Sequence, residues 1–459
     1  MESNERKKEK ANVSQHELEW RPDYSKRHRK VEWRHRWFRL HRSENDDELL
    51  DIRKKALDLK QRKIKIQRTT ANHMAAYGPA PASAGTPWVS IGPRNINGRV
   101  KSLAVEPTNE DIVYAGAASG GVWKSEDGGQ SWRPLWDEQE SLAIGSIVIA
   151  PSAHNTIYVG TGEWTHGYGP SYPGSGVYVS NNAGATWTQR PSVNARRIAR
   201  VLVSQDDHLR IYVAGESGFE RSTDGGVTWT TVRAGQISDA VIDPHDADIL
   251  YINVRNDGIY KSTDSGDNWT KLNTGPTGAD ANWLRLAIGT NGTHSSNFIL
   301  AKQDGTIYRT TDGGTNWTTL AGSHGAAGFY QWANLIAVSP NDEDVIIAGG
   351  ASAIQRTTNG GTSWSNLTGL HADHHRAVFA PTNPDVVYEC NDGGVYRSDD
   401  RGATWKKASH GLVITQFYDV GSWNTISTVL GGGTQDQGTN MSTGGLRKTP
   451  WQASHYVSV

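Results

Sequence analysis

An eight-residue box of the form Ser/Thr-x-Asp-x-Gly-x-x-Trp recurs seven times in this 459-residue chain. The copies run Ser125–Trp132, Ser180–Trp187, Ser222–Trp229, Ser262–Trp269, Thr310–Trp317, Thr357–Trp364 and Ser398–Trp405. The acidic position is Asp127, Asp224, Asp264, Asp312 and Asp400, with Asn182 and Asn359 in the other two copies. From one Trp to the next the steps are 55, 42, 40, 48, 47 and 41 residues. A repeat of forty to fifty residues is the period of a propeller blade, one four-stranded sheet per repeat. The expected fold is therefore all-β: a β-propeller of seven recognisable blades with a partial eighth unit, preceded by a basic helical N-terminal arm.

The first repeat shows how a blade is written. Gly98–Pro107 alternates and ends at a turn, Asp111–Ala118 is rich in β-branched and small residues, and Gly121–Ser125 and Ser131–Trp136 are two shorter strands. The box lies between the third and fourth strands. Its Asp is expected to accept backbone N–H groups and close the turn, and Gly129 to supply a positive φ. The box tryptophans (Trp132, Trp187, Trp229, Trp269, Trp317, Trp364 and Trp405) are expected to pack between neighbouring sheets. The last repeat reads in the same order: Arg376–Pro381, Asp385–Cys390, Gly394–Ser398, Thr404–Ala408. Three further strands, Gln416–Gly421, Ser427–Gly433 and Gly438–Ser442, then begin an eighth unit without a box. Either Trp88–Ile91 completes the ring, or a second propeller begins here; the second alternative is preferred.

Charge divides the chain. Residues 1–75 carry 21 Lys/Arg against 13 Asp/Glu, and the remainder 26 against 35. An acidic propeller repels phosphates, so no nucleic-acid partner is expected. The organisation reads as a basic, partly helical arm over 1–76, a linker over 77–87, the propeller over 88–415 and the partial unit over 416–459. Residues 44–67 place acids first and bases last, matching a helix dipole. The arm is expected to dock on an acidic partner or on its own propeller. Cys390 is the only cysteine, so an intrachain disulfide is impossible. No apolar run reaches membrane-spanning length and no signal peptide is visible.

Ligands of propellers bind at the mouth of the central channel, on the face opposite the boxes. That face carries the loops between the second and third strands. Acids recur in those loops: Glu163, Glu216, Asp257, Asp304, Asp392 and Asp436. Each either caps its own turn or joins a ring of carboxylates that binds a cation or sugar or supplies a catalytic pair. The longest loop adds Trp164, His166, Tyr168 and Tyr172, aromatic rings suited to stacking on sugars or to plugging the channel. His371, Asp373 and His375 would share one face of an alternating strand, a candidate metal set. Arg99 and Arg197 stand at inner-strand starts, placed to bind an anionic ligand or pair with the acids.

These boxes resemble the Asp-box (BNR) repeats of sialidases, sortilin-type receptors, photosystem assembly factors and xyloglucanase glycoside hydrolases. The phrases Gly92–Trp132, Tyr158–Glu163, His371–His375, Cys390–Ser398 and Leu430–Thr439 are similar to exported bacterial BNR-repeat proteins of glycosyl-hydrolase-like type. The resemblance spans roughly residues 88–445 and implies a secreted or cell-surface location. It also implies departures. The Arg-containing tetrapeptide of sialidases is missing, and Ala118 stands where xyloglucanases carry a first-blade catalytic Asp. The main expectation is a non-catalytic recognition or scaffold propeller that binds glycan or protein. The alternative is a glycoside hydrolase using two of Glu163, Asp373, Asp392 and Asp436. No cofactor is required by either reading; a divalent cation such as calcium is the one considered.

Overall fold

The protein is described here by a computed structural model covering residues 50–62, 92–164, 172–191, 193–289, 299–303, 305–321, 333–422, 430–442 and 452–454. The expected strand Trp88–Ile91, His166, Tyr168 and Asp304 lie outside the described residues.

Eight four-stranded antiparallel sheets form, each a simple meander of consecutive strands. Blade one comprises Val100–Glu106, Asn109–Ala117, Gly121–Ser125 and Arg133–Pro134. Blade seven comprises His374–Phe379, Val387–Asn391, Gly394–Ser398 and Lys406–Lys407. In both of these blades the third strand runs over the residues expected from sequence, whereas the outer strand shrinks to two residues. The eighth sheet has a fourth strand, Gln452–Ser454, beyond the three foreseen.

The inner strands of blades one to seven neighbour one another in sequence order, and that of blade seven packs against that of blade one. The ring thus closes at seven. At the seam, Val100, Val113 and Trp132 of blade one share a core with Val386, Tyr388 and Cys390 of blade seven. Hydrogen bonds reinforce it: Asn97 Nδ2 donates to the carbonyls of Ser409 (2.8 Å) and Leu412 (2.6 Å), and Tyr388 Oη donates to that of Glu110 (2.9 Å). Gly98 is required there, because a Cβ would sit 2.4 Å from the Ile414 carbonyl oxygen.

The boxes perform the expected turn. In the first, Gly129 N–H donates to Ser125 Oγ and Ser131 N–H to Asp127 Oδ1, both at 2.8 Å, with Gly129 at φ 89°. Asn182 Oδ1 accepts the Thr186 N–H at 2.9 Å and its Nδ2 donates to Thr186 Oγ1 at 2.8 Å, so Asn serves because the hydroxyl can accept as well as donate. Each box Trp lies in the core shared with the preceding blade: Trp187 against blade one, Trp229 against blade two, and so on around to Trp405 against blade six. Trp132 and Trp187 also donate their indole N–H across the seam, to the Ala408 and Leu135 carbonyls.

The N-terminal helix, expected over 44–67, is described over 50–62. It lies against the segment leaving blade one. Arg53 Nε donates to the Gln139 carbonyl at 2.8 Å, Lys54 Nζ is 3.7 Å from Glu140, and Lys60 pairs with Glu138. No helix among the described residues is long and apolar enough to cross a membrane.

Trp132→Ala, which empties the seam that closes the ring, is expected to cost about 3–5 kcal/mol, read as a fall in the midpoint of chemical denaturation. Trp364→Ala, at a partly exposed position of the same motif, is expected to cost less in that measurement.

Candidate functional site

At the axis, on the face opposite the boxes, the structure gathers Arg99, Lys101, Glu163, Asp373, His375, Asp392 and Asp436. Arg99, just ahead of the inner strand of blade one, is buried with its Nε 3.4 Å from Glu163 Oε1 and 3.9 Å from Asp392 Oδ1. Those two oxygens are therefore no further apart than the sum of these distances. That bound lies inside the ~5–10 Å that separates the paired carboxyl groups of glycosidases. Burial opposes the charge of Arg99, but Glu163, Asp392, Asp436 and Asp373 together outweigh it and raise its pKa.

Asp392 accepts a hydrogen bond from His375 Nε2 at 2.6 Å. On the other side of the ring, Lys101 Nζ lies 3.2 Å from His375 Nδ1. An ammonium only donates, so Nδ1 accepts and Nε2 carries the proton given to Asp392. The neutral imidazole this requires is the form favoured: burial, then Lys101, Arg99, His374 and Arg285, hold the His375 pKa well below its ordinary value. Lys101 is drawn down to about 8, by burial first and then by Arg99 and Arg285 against the pull of Glu163. Asp373 is partly exposed. Its carboxyl is pushed up to about 6 by burial and by the neighbouring charges of Asp392 and Asp436, which Arg99 and His371 offset only in part. The eighth sheet reaches this mouth through Gln437, whose Nε2 donates to the Asp392 carbonyl at 3.0 Å.

The other expected site residues go elsewhere. Glu216 accepts the Arg196 N–H at 3.0 Å and pairs with Arg197 at 3.4 Å, so these two candidates satisfy each other. Asp257 accepts from Tyr260 Oη at 2.7 Å and pairs with Lys271 of its own blade. Trp164 is not an exposed stacking platform: it is 7 % exposed and packs against Trp283, ring centroids 5.3 Å apart. Tyr172 is partly buried, its carbonyl accepting the Glu163 N–H. The metal set does not assemble. Asp373 has φ 63° and precedes the strand, and His375 sits in a β-bulge between His374 and Arg376, so simple alternation fails there. Among the described residues no three His, Cys, Asp or Glu side chains converge to hold a metal ion.

Sequence reasoning passed over Lys101 and His374. Lys101 is legible in retrospect as the second of a basic pair with Arg99. His374 is buried, its Nδ1 2.7 Å from Glu389 Oε1, and Asn391 Nδ2 donates to the other oxygen at 2.8 Å. Burial pushes the Glu389 carboxyl up.

The fold and boxes define an Asp-box β-propeller. The family model described as "Sortilin, neurotensin receptor 3" matches residues 217–349. The chain is 25 % identical over 251 residues to a xyloglucanase of Acetivibrio thermocellus, covering 44 % of this chain and 30 % of that protein. It is 24 % identical over 225 residues to an oligoxyloglucan-reducing end-specific xyloglucanase of Emericella nidulans, covering 44 % and 25 %. The chain thus spans less than a third of these relatives' length. Among solved structures, the GH74 xyloglucanase of Xanthomonas campestris superposes with a TM-score of 0.63 at 18 % identity, covering 77 % of this chain and 60 % of that one. The GH74 enzyme of Niastella koreensis gives 0.61 at 19 %, covering 80 % and 61 %. At such identities the structural likeness establishes the fold alone. The relatives named here are enzymes, and the expectation of a non-catalytic recognition propeller finds no support in them; that reading is corrected.

The raised Asp373 carboxyl has a stability consequence. Folded Asp373 holds a proton that the unfolded chain releases near pH 4, so its contribution becomes unfavourable as pH rises from about 4 to 6 and stays so at pH 7. Asp373→Asn is therefore expected to stabilise the protein by about 1–2 kcal/mol at pH 7 and not below pH 4, measured by thermal unfolding at the two pH values.

Proposed function

We propose that this propeller is a glycoside hydrolase acting on a glucan of the xyloglucan class, with Asp373 as general acid and Asp392 as its partner carboxylate. The observation that carries the reading is Asp373, partly exposed at the channel mouth and pushed up to about 6 beside Asp392 and Asp436. A carboxyl that keeps its proton near neutral pH can deliver it to a leaving glycosidic oxygen, while a neighbour that stays charged activates water or attacks the anomeric carbon. Asp392 suits the second role, because Arg99 and His375 hold it in place. The relatives named as xyloglucanases supply the substrate class.

The departure at Ala118 is part of the proposal. Ala118 is fully buried, so the first blade offers no acid at that position and the pair comes from blade seven. In the same reading the eighth sheet opens a second propeller that forms the far wall of the substrate cleft. A polymeric glucan substrate places the protein outside the cell. The chemistry proposed is complete with the two carboxylates and calls on no cofactor.

Hydrolysis of xyloglucan oligosaccharides, followed by chromatography of the products, tests this. Asp392→Asn is expected to lower kcat by about 10²–10⁴-fold with binding retained. The wild-type kcat/KM is expected to fall above pH 6 as Asp373 loses its proton, and Asp373→Asn to remove that limb together with most of the rate. Full activity in both variants, or no product from the wild type on a panel of β-glucans, would reject the assignment.

A further inference from the structure

Beside the carboxylates, the ring axis holds a pocket of about 390 Å³, counting space open to solvent. Its walls come from the inner strands of blades one, two, three, five and seven, and from the blade-two loop. Three cations line it from different blades: Lys101, Arg285 and Arg376. No acid is among the lining residues. Trp164 forms another wall; it is 7 % exposed, and its indole Nε1 has no hydrogen-bond partner among the described residues. A buried N–H donor left without an acceptor costs free energy, which makes it an independent sign of a missing partner.

The nearest acids already have cationic partners. Glu163 lies between Arg99 and Lys101. Asp239 takes both arms of Arg200, at 2.7 and 2.9 Å, and accepts the Ala240 and Leu286 N–H groups as well. Arg285 spends one N–H on the Ser238 carbonyl, which carries no full charge. Positive charge therefore accumulates in a confined space, with Ser102, Gly145, Ile198, Ala199 and His375 completing its walls. Burial first, and then Arg99 and Arg285 against the pull of Glu163, depress the Lys101 ammonium there. Gly145, Ile198 and Ala199 add no side-chain donors for the many oxygens of a phosphate, and the few converging donors suit a small, weakly hydrated monovalent anion.

We propose that the central channel binds a small monovalent anion of the halide class between Lys101, Arg285 and Arg376, with the Trp164 indole N–H as a fourth donor. The anion neutralises the axis and keeps Lys101 charged. Lys101 then continues to donate to His375, which in turn orients Asp392. The anion site is thus a positioning element for the carboxylate at the mouth, and it stands whether or not that carboxylate cleaves sugars.

The test titrates sodium bromide against sodium gluconate at constant ionic strength and follows the thermal midpoint. The wild type is expected to show a saturable rise with bromide. Arg376→Gln is expected to abolish the rise or shift its half-effect at least tenfold upward. Identical midpoints in the two salts, or an unchanged response in Arg376→Gln, would overturn the proposal. Should that variant not fold, anomalous diffraction from bromide-soaked wild-type crystals decides: a peak between Lys101, Arg285 and Trp164 is expected, and bromide only on the surface overturns it. A peak in the pocket without a saturable rise would mark an adventitious ion only and would equally overturn it. Neither readout involves sugar, so failure here and failure of the hydrolase assignment are distinguishable.

Discussion

A four-stranded blade has two apolar faces and cannot bury either one alone. Every other feature of this protein follows from that constraint. Each sheet must press against a neighbour on both sides, and the arrangement ends only when the last sheet meets the first. The tryptophan of each box supplies the material for one such seam, and the Ser/Thr and Asp or Asn of the same box hold the turn that aims it. The seam between blades seven and one is the one that joins distant parts of the chain. There Trp132, Tyr388 and Cys390 share a core, and Asn97 binds the carbonyls that follow blade seven.

Closure has a chemical by-product. It brings the starts of seven inner strands to a common axis, where any charge faces charges from several blades at once. Arg99 and Lys101 from blade one meet Glu163 from blade two and His375 and Asp392 from blade seven. In so confined a place like charges cannot all stay ionised, and desolvation magnifies each interaction. The opposite shifts of Asp373 and Lys101 share that origin: burial comes first in both, and neighbouring like charges add to it, Asp392 and Asp436 for the acid, Arg99 and Arg285 against the pull of Glu163 for the base.

The mouth of the channel is acidic and its interior is basic, and His375 stands between the two. The imidazole transmits order from the Lys101 ammonium to the Asp392 carboxylate without carrying charge itself. Solved propellers share this fold, and the position at which the resemblance to xyloglucanases implied a first-blade acid is a buried Ala118 here. The fold is thus a frame in which reactive groups can be moved from blade to blade, and each chain has to be read at its own axis.

The architecture was legible in the sequence because it is local and repeated. The box, its spacing and the short third strands such as Gly121–Ser125 and Gly394–Ser398 specify a blade within forty to fifty residues. The site was legible only in part. Glu163, Asp373, Asp392, Asp436 and Arg99 stood out as acids and bases at matching loop and strand positions, and the ring does bring them together. Glu216 and Asp257 stood out equally and cap their own surroundings. What separated them was set by the tertiary structure. Bulges at the starts of the inner strands put Lys101, Gly145, Ala199 and His375 out of simple alternation, and these four residues line the pocket. A bulge shifts the register by one residue and so reverses which side chains face the axis. Sequence periodicity by itself therefore determined the blades, while closure of the ring at seven was decided by the packing of the inner strands. Only the closed ring, with its bulged inner strands, decided which charges meet at its centre.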